Sequence, residues 1–78
     1  MTVNSNQVTV YPNPVNNKLS LKFSKGEEIS SVIIYDALGK ELINTKEKEI
    51  DVSVLQNGVY LIQVSTKSTI YNAKFIKE

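Results

Sequence analysis

The 78 residues of this chain make one domain, and a chain this short hides only about 60% of its unfolded surface, so its stability rests on good strand pairing. It has no cysteine, which removes disulfides and Cys-based zinc sites as compensation for a small core. Nine basic residues, all lysine, against eight acidic ones give a net charge of +1; that is too balanced for electrostatic nucleic-acid binding, and without arginine the planar fork that grips phosphates is missing.

Residues 1–6 (MTVNSN) read as a polar tail or linker remnant. They show no basic region followed by an apolar stretch, so they are not a signal peptide, and an exported form would be part of a longer chain. No apolar run of 18 residues exists, so no helical membrane insertion is expected. From residue 7 onward the chain is β in character. No segment keeps a period of 3.6 over 11 residues, while several alternate with period two. Residues 7–11 (QVTVY) are β-branched and alternating. The Y-P-N-P stretch that follows, Tyr11, Pro12, Asn13 and Pro14, must leave the sheet, because two prolines remove two backbone donors and hold φ fixed. Residues 18–23 (KLSLKF) alternate cleanly, with Leu19, Leu21 and Phe23 on one face and Lys18, Ser20 and Lys22 on the other.

Residues 29–35 (ISSVIIY) are more continuously apolar and read as a central strand. A hairpin to residues 40–45 (KELINT) follows, with Asp36 opening a type I turn and Gly39 at the positive-φ position. Residues 49–53 (EIDVS) form a short strand, Asn57 and Gly58 signal a turn, and residues 59–66 (VYLIQVST) are the most apolar segment. Residues 65–68 connect to a last strand over 69–77 (TIYNAKFIK), in which neither face is uniformly apolar. Seven short strands with turns every 8–12 residues predict an all-β fold, a small immunoglobulin-like β-sandwich of about seven antiparallel strands over residues 7–78. The Cys…Trp…Cys pattern of antibody domains is absent, so the likeness is one of architecture.

The missing residue types bear on function. Without histidine there is no common proton shuttle near neutral pH and no usual transition-metal ligand. Without cysteine there is no thiolate, and neither a Ser-His-Asp nor a Cys-His arrangement can form. Gly26, Gly39 and Gly58 stand singly rather than in a phosphate-binding loop. No catalytic residue, cofactor or metal is expected. Asp36, Asp51, Glu27 and Glu28 could offer oxygens to Ca²⁺ but lack the spacing of a calcium loop. The run of charges at residues 46–49 reads as a solvated edge segment that discourages sheet-to-sheet pairing. Tyr11, Tyr35, Tyr60 and Tyr71 could make a sugar-binding surface, yet half-buried tyrosines in strands are ordinary packing.

Three features go beyond a generic sandwich: Y-P-N-P after a β-branched strand, an apolar strand running into D-A-L-G-K at residues 36–40, and D-V-S-V-L-Q-N-G-V-Y-L-I at residues 51–62. The chain then runs out through K-F-I-K-E at residues 74–78. In this order and spacing the chain resembles the type A C-terminal sorting domains of the type IX secretion system over residues 7–78.

That resemblance implies a non-catalytic signal on cargo proteins of Bacteroidetes, covalently linked to a cargo domain upstream. The cargo is expected to pass through the periplasm and to reach the cell surface or the medium. The partners implied are the type IX translocon and its outer-membrane shuttle components, with a sortase-like peptidase in cargoes that are processed. The family's most signal-like residues map to Lys74, Phe75, Ile76, Lys77 and Glu78. Tyr11, Pro12, Asn13, Pro14, Asp36, Gly39, Gly58 and Tyr60 carry over as motif residues, serving the fold or recognition. The last strand is expected to lie at a sheet edge and to offer backbone groups by strand addition. Removal of residues 74–78 is then expected to leave most of the fold intact. An immunoglobulin-like adhesion or spacer module, and a carbohydrate-binding accessory module of a secreted enzyme, stay open as alternatives.

Overall fold

The computed structural model describes residues 3–5, 8–23, 28–67 and 69–78. Gln7, Gly26, Glu27, Ser68 and the ends of the predicted tail lie outside the described residues. The strands are β1 (Val3–Ser5), β2 (Val8–Tyr11), β3 (Lys18–Phe23), β4 (Ile29–Tyr35), β5 (Glu41–Thr45), β6 (Glu49–Asp51), β7 (Gly58–Thr66) and β8 (Ile70–Lys77). All strand pairs are antiparallel. They form two four-stranded sheets, ordered β1-β2-β3-β6 and β5-β4-β7-β8. The shortest dimension, 18 Å, fits two sheets about 10 Å apart with their outer side chains.

Seven of these strands fall on the seven segments expected from alternation, and the fold is the predicted all-β sandwich. The partition is that of an immunoglobulin-like domain: β2, β3 and β6 stand as A, B and E, and β4, β7 and β8 as C, F and G. β5 sits beside β4, on the C side. β1 is the strand that periodicity does not reveal. It is three residues long, and it forms by pairing with the edge that β2 would otherwise leave open.

The core forms where the alternating faces meet. Val8, Val10, Leu19, Leu21 and Ile50 come from one sheet, and Val32, Ile34, Tyr60, Ile62, Val64, Tyr71 and Phe75 from the other. The outer faces differ. The β2-β3-β6 face carries Lys18, Lys22, Glu49 and Asp51, with Lys18 Nζ 3.8 Å from Glu49 Oε1 across the β3–β6 pair. The β4-β7-β8 face carries Val59, Leu61 and Ile76 in the open. β4 and β7 are both interior strands of their sheet, which explains their high apolar content.

In β8 the structure resolves what the pattern left open. Tyr71, Phe75 and Lys77 point inward, and Ile70, Asn72, Lys74 and Ile76 outward. β8 is at the edge of its sheet as expected, but it is not a detachable strip. Phe75 is fully buried and Tyr71 nearly so, so the expectation that residues 74–78 can be removed with the fold left intact is corrected: their loss opens the core.

Candidate functional site at the motif pole

Strand register brings the distinctive motifs to one end of the sandwich. Gly58 stands opposite Lys77, Lys18 opposite Asp51, and the β4–β5 hairpin turns just beyond Tyr35. Each motif there solves a local backbone problem.

The Y-P-N-P corner moves the chain from one sheet to the other. β2 pairs with β3 up to Tyr11. The Tyr11-Pro12 and Asn13-Pro14 peptide bonds are both cis, and Val15 then meets Lys77 in a parallel bridge to β8. Val15 N–H donates to the Ile76 carbonyl at 2.8 Å, and Glu78 N–H donates to the Val15 carbonyl at 2.9 Å. Asn13, only 6% exposed, accepts the Ile76 N–H on Oδ1 at 2.8 Å. Pro12 and Pro14 are exposed; as residues without an N–H, they leave no orphan donor at the bend.

The D-A-L-G-K turn closes the β4–β5 hairpin. Asp36 Oδ1 accepts the N–H groups of Leu38 and Lys40, each at 2.9 Å. Gly39 N–H donates to the Asp36 carbonyl at 3.0 Å, and Asp36 N–H to the Lys40 carbonyl at 3.0 Å. Gly39 takes φ +88°, a left-handed conformation that a Cβ penalises. An irregular register between Ile34 and Tyr35 sets Tyr35 against Glu41 and leaves Leu42 beside the turn.

The long motif at residues 51–62 builds the turn between β6 and β7. Asp51 Oδ1 accepts both Ser53 N–H at 2.9 Å and Ser53 Oγ–H at 2.6 Å. These bonds hold its carboxyl below the ordinary 3.8, with the side-chain bond first and the backbone bond second; slight desolvation opposes them and Lys18 adds a little attraction. Val52 is buried, and its carbonyl accepts Leu55 N–H at 3.0 Å. Tyr60 reaches back from β7, and its hydroxyl donates to the Gln56 carbonyl at 2.5 Å. A tyrosine near the start of strand F bonded to backbone just upstream is the tyrosine corner of immunoglobulin-like sandwiches. Gly58 is not a turn residue; it is the first residue of β7, at φ +157°.

These elements enclose a shallow groove of about 320 Å³ lined by Asp36, Leu42, Val54, Leu55, Gln56 and Tyr60. Leu38, 95% exposed at the hairpin tip, and Val54, 83% exposed, are the most open apolar side chains at this pole. Of the terminal segment, Lys74, Ile76 and Glu78 are exposed, while Phe75 and Lys77 are buried. Lys77 is 7% exposed, and its Nζ donates to the Glu78 main-chain oxygen at 3.0 Å. The link from Y-P-N-P to residues 76–78 had no signal in the sequence, because a side-chain acceptor replaces a ladder carbonyl there.

The four tyrosines do not share a surface. Tyr60 stacks on Phe75 with centroids 5.5 Å apart, and Tyr71 packs beside Phe23 at 6.1 Å, both inside the sandwich. Among the described residues no three acidic side chains gather as a metal site would require. The acidic oxygen Oδ1 of Asp36 and that of Asp51 are each taken up in turn hydrogen bonds.

Fold and pole together define a small immunoglobulin-like all-β module whose distinctive residues serve its corners and its last strand. Residues 9–78 match the family of secretion system C-terminal sorting domains, and the chain belongs to that family. Domains of this family are sorting signals for type IX secretion, which carries cargo across the outer membrane to the cell surface or beyond. No curated protein matches the chain at a significant level.

Proposed function

We propose that the domain acts as a non-catalytic recognition module, read by the type IX translocon and its outer-membrane shuttle components through the exposed side chains of its last strand. The observation that carries this is the division of residues 74–78: Lys74, Ile76 and Glu78 face solvent, and Phe75 and Lys77 face inward. Phe75 and Lys77 then shape the strand, and the outward residues meet the partner. Ile76 stands opposite Val59, and Lys74 opposite Leu61, on β7. These four residues make an exposed apolar strip with one cation, on the sheet that carries fewer exposed charged residues in its strands than the other. Contiguous exposed apolar surface is the usual mark of a docking face.

Residues 7–78 are the sorting unit in this reading, with β1 of the preceding segment paired to the edge of β2, and the cargo is covalently attached upstream. The folded domain passes through the periplasm before export, and a sortase-like peptidase cuts upstream of it in cargoes that are processed. A role without catalysis is supported by the absence of histidine and cysteine. The test is a fusion of this chain behind a fluorescent protein with a signal peptide, expressed in a cell that has the secretion system. Fluorescence in the medium or on the surface is expected. Retention of the fusion inside would overturn the reading.

A further inference from the structure

The contact between the Y-P-N-P corner and β8 has a use beyond closing the fold. β8 is an edge strand, and on the side away from β7 the end of an edge strand would face water and fray. At residues 76–78 that side is covered. The Ile76 N–H goes to Asn13 Oδ1, the Ile76 carbonyl receives Val15 N–H, and Glu78 N–H goes to the Val15 carbonyl. Asn13 lies between two prolines, neither of which has an N–H to give. Its side-chain carbonyl acts as a surrogate ladder acceptor, and its burial shields that bond from water.

We infer that Asn13 is a positioning residue for the sorting signal: its Oδ1 clamps residues 76–78 so that Lys74 and Ile76 are displayed outward and Phe75 and Lys77 stay in register beneath them. The inference rests on the proposed reading of residues 74–78 as the segment the translocon recognises. It assigns Y-P-N-P a role through the last strand, with no contact to the partner required.

The clamp is tested with Asn13→Leu, which keeps the bulk and removes the acceptor, and with Asn13→Asp, which restores an oxygen. In the Leu variant, amide exchange at Ile76 and Glu78 should speed up about tenfold, as the loss of one buried hydrogen bond implies. The Ile62 and Val64 amides in the interior strand β7 should keep their protection. Export of the fluorescent fusion should fall sharply with the domain still folded, and Asn13→Asp should recover most of both properties. Unchanged exchange at Ile76 would overturn the clamp, and faster exchange with normal export would overturn its role in display. If Asn13→Leu does not fold, an ester in place of the Ile76 amide, made by semisynthesis, removes the donor from the same bond with every side chain intact. Exchange at Glu78, whose N–H is kept, then decides the clamp: about tenfold faster exchange is expected, and unchanged exchange overturns it. Failure of the unmodified fusion to leave the cell overturns the sorting reading, and the exchange contrast distinguishes that result from a missing clamp.

Discussion

Tyr60 and Phe75 stand directly opposite each other on β7 and β8, and their rings stack 5.5 Å apart with 22° between their planes. This pair ties residues 74–78 to the hydrophobic core. Tyr60 is held at its other end by the hydroxyl bond to Gln56. β8 lies at a sheet edge and is nonetheless anchored in the core through Phe75 and Tyr71.

Phe75→Ala should destabilise the domain by about 3–5 kcal/mol, since a fully buried aromatic leaves a cavity that two sheets cannot close over. A domain of this size has only about 4–12 kcal/mol in all. Urea denaturation followed by far-UV circular dichroism should show the midpoint moving sharply down. A midpoint within error of the parent would show that Phe75 is not in the core.

Tyr60→Phe isolates the corner from the stack. The ring remains, while the Gln56 carbonyl loses its donor, at a cost of about 1–3 kcal/mol. Thermal melts should report a lower Tm, and a larger loss for Tyr60→Leu would measure the ring separately. Equal stability of the Phe variant and the parent would remove the corner from the account.

Gly39→Ala places a Cβ on a residue at φ +88° with open space around it. The cost is then purely one of backbone conformation, about 1–2 kcal/mol, which corresponds to a fall in Tm of roughly 4–16 °C for a domain of this length. Gly39→Asn should lose less, because asparagine tolerates that region better. The comparison of the two melts is the check, and equal losses would point to a steric cause instead.

Acid should weaken the turn between β6 and β7 through Asp51. Its folded value is depressed below the ordinary 3.8 by the Ser53 bonds, so its contribution is complete above 3.8 and is lost as the pH falls through the lower folded value. Urea midpoints measured from about pH 5 to pH 2 should fall less steeply for Asp51→Ala than for the parent. Parallel profiles would place the acid sensitivity elsewhere.

Lys74→Ala and Ile76→Ser remove outward side chains and should each change stability by no more than about 0.5 kcal/mol, while export of the fusion drops. Secretion assays paired with melts separate the two effects. Normal secretion by both variants would take the recognition surface away from β8.

Much of the fold was legible because its strands alternate. Residues 18–23 declare their inner face through Leu19 and Leu21, and the Asp36 and Gly39 pattern declares the hairpin. β8 was harder for a physical reason: it buries a lysine, Lys77, and exposes two isoleucines, Ile70 and Ile76, so hydropathy alone does not choose a face. β1 is short and polar, and only the open edge of β2 makes it a strand. The Y-P-N-P motif announced a corner without its destination, since the acceptor on Asn13 and the bridge at Val15 depend on a strand far along the chain.

That distance has a consequence for synthesis. Asn13 and Ile76 are 63 positions apart, so the corner near the beginning of the domain can be closed only after its last strand exists. Bringing together residues so far apart is slow compared with forming a local hairpin. A polypeptide stopped at residue 70 would contain the sequence of seven strands and still lack both Phe75 and the partner of Asn13. On the proposed reading of residues 74–78, unfinished cargo would thus carry a label that cannot be read, because neither the core nor the corner of the domain could close.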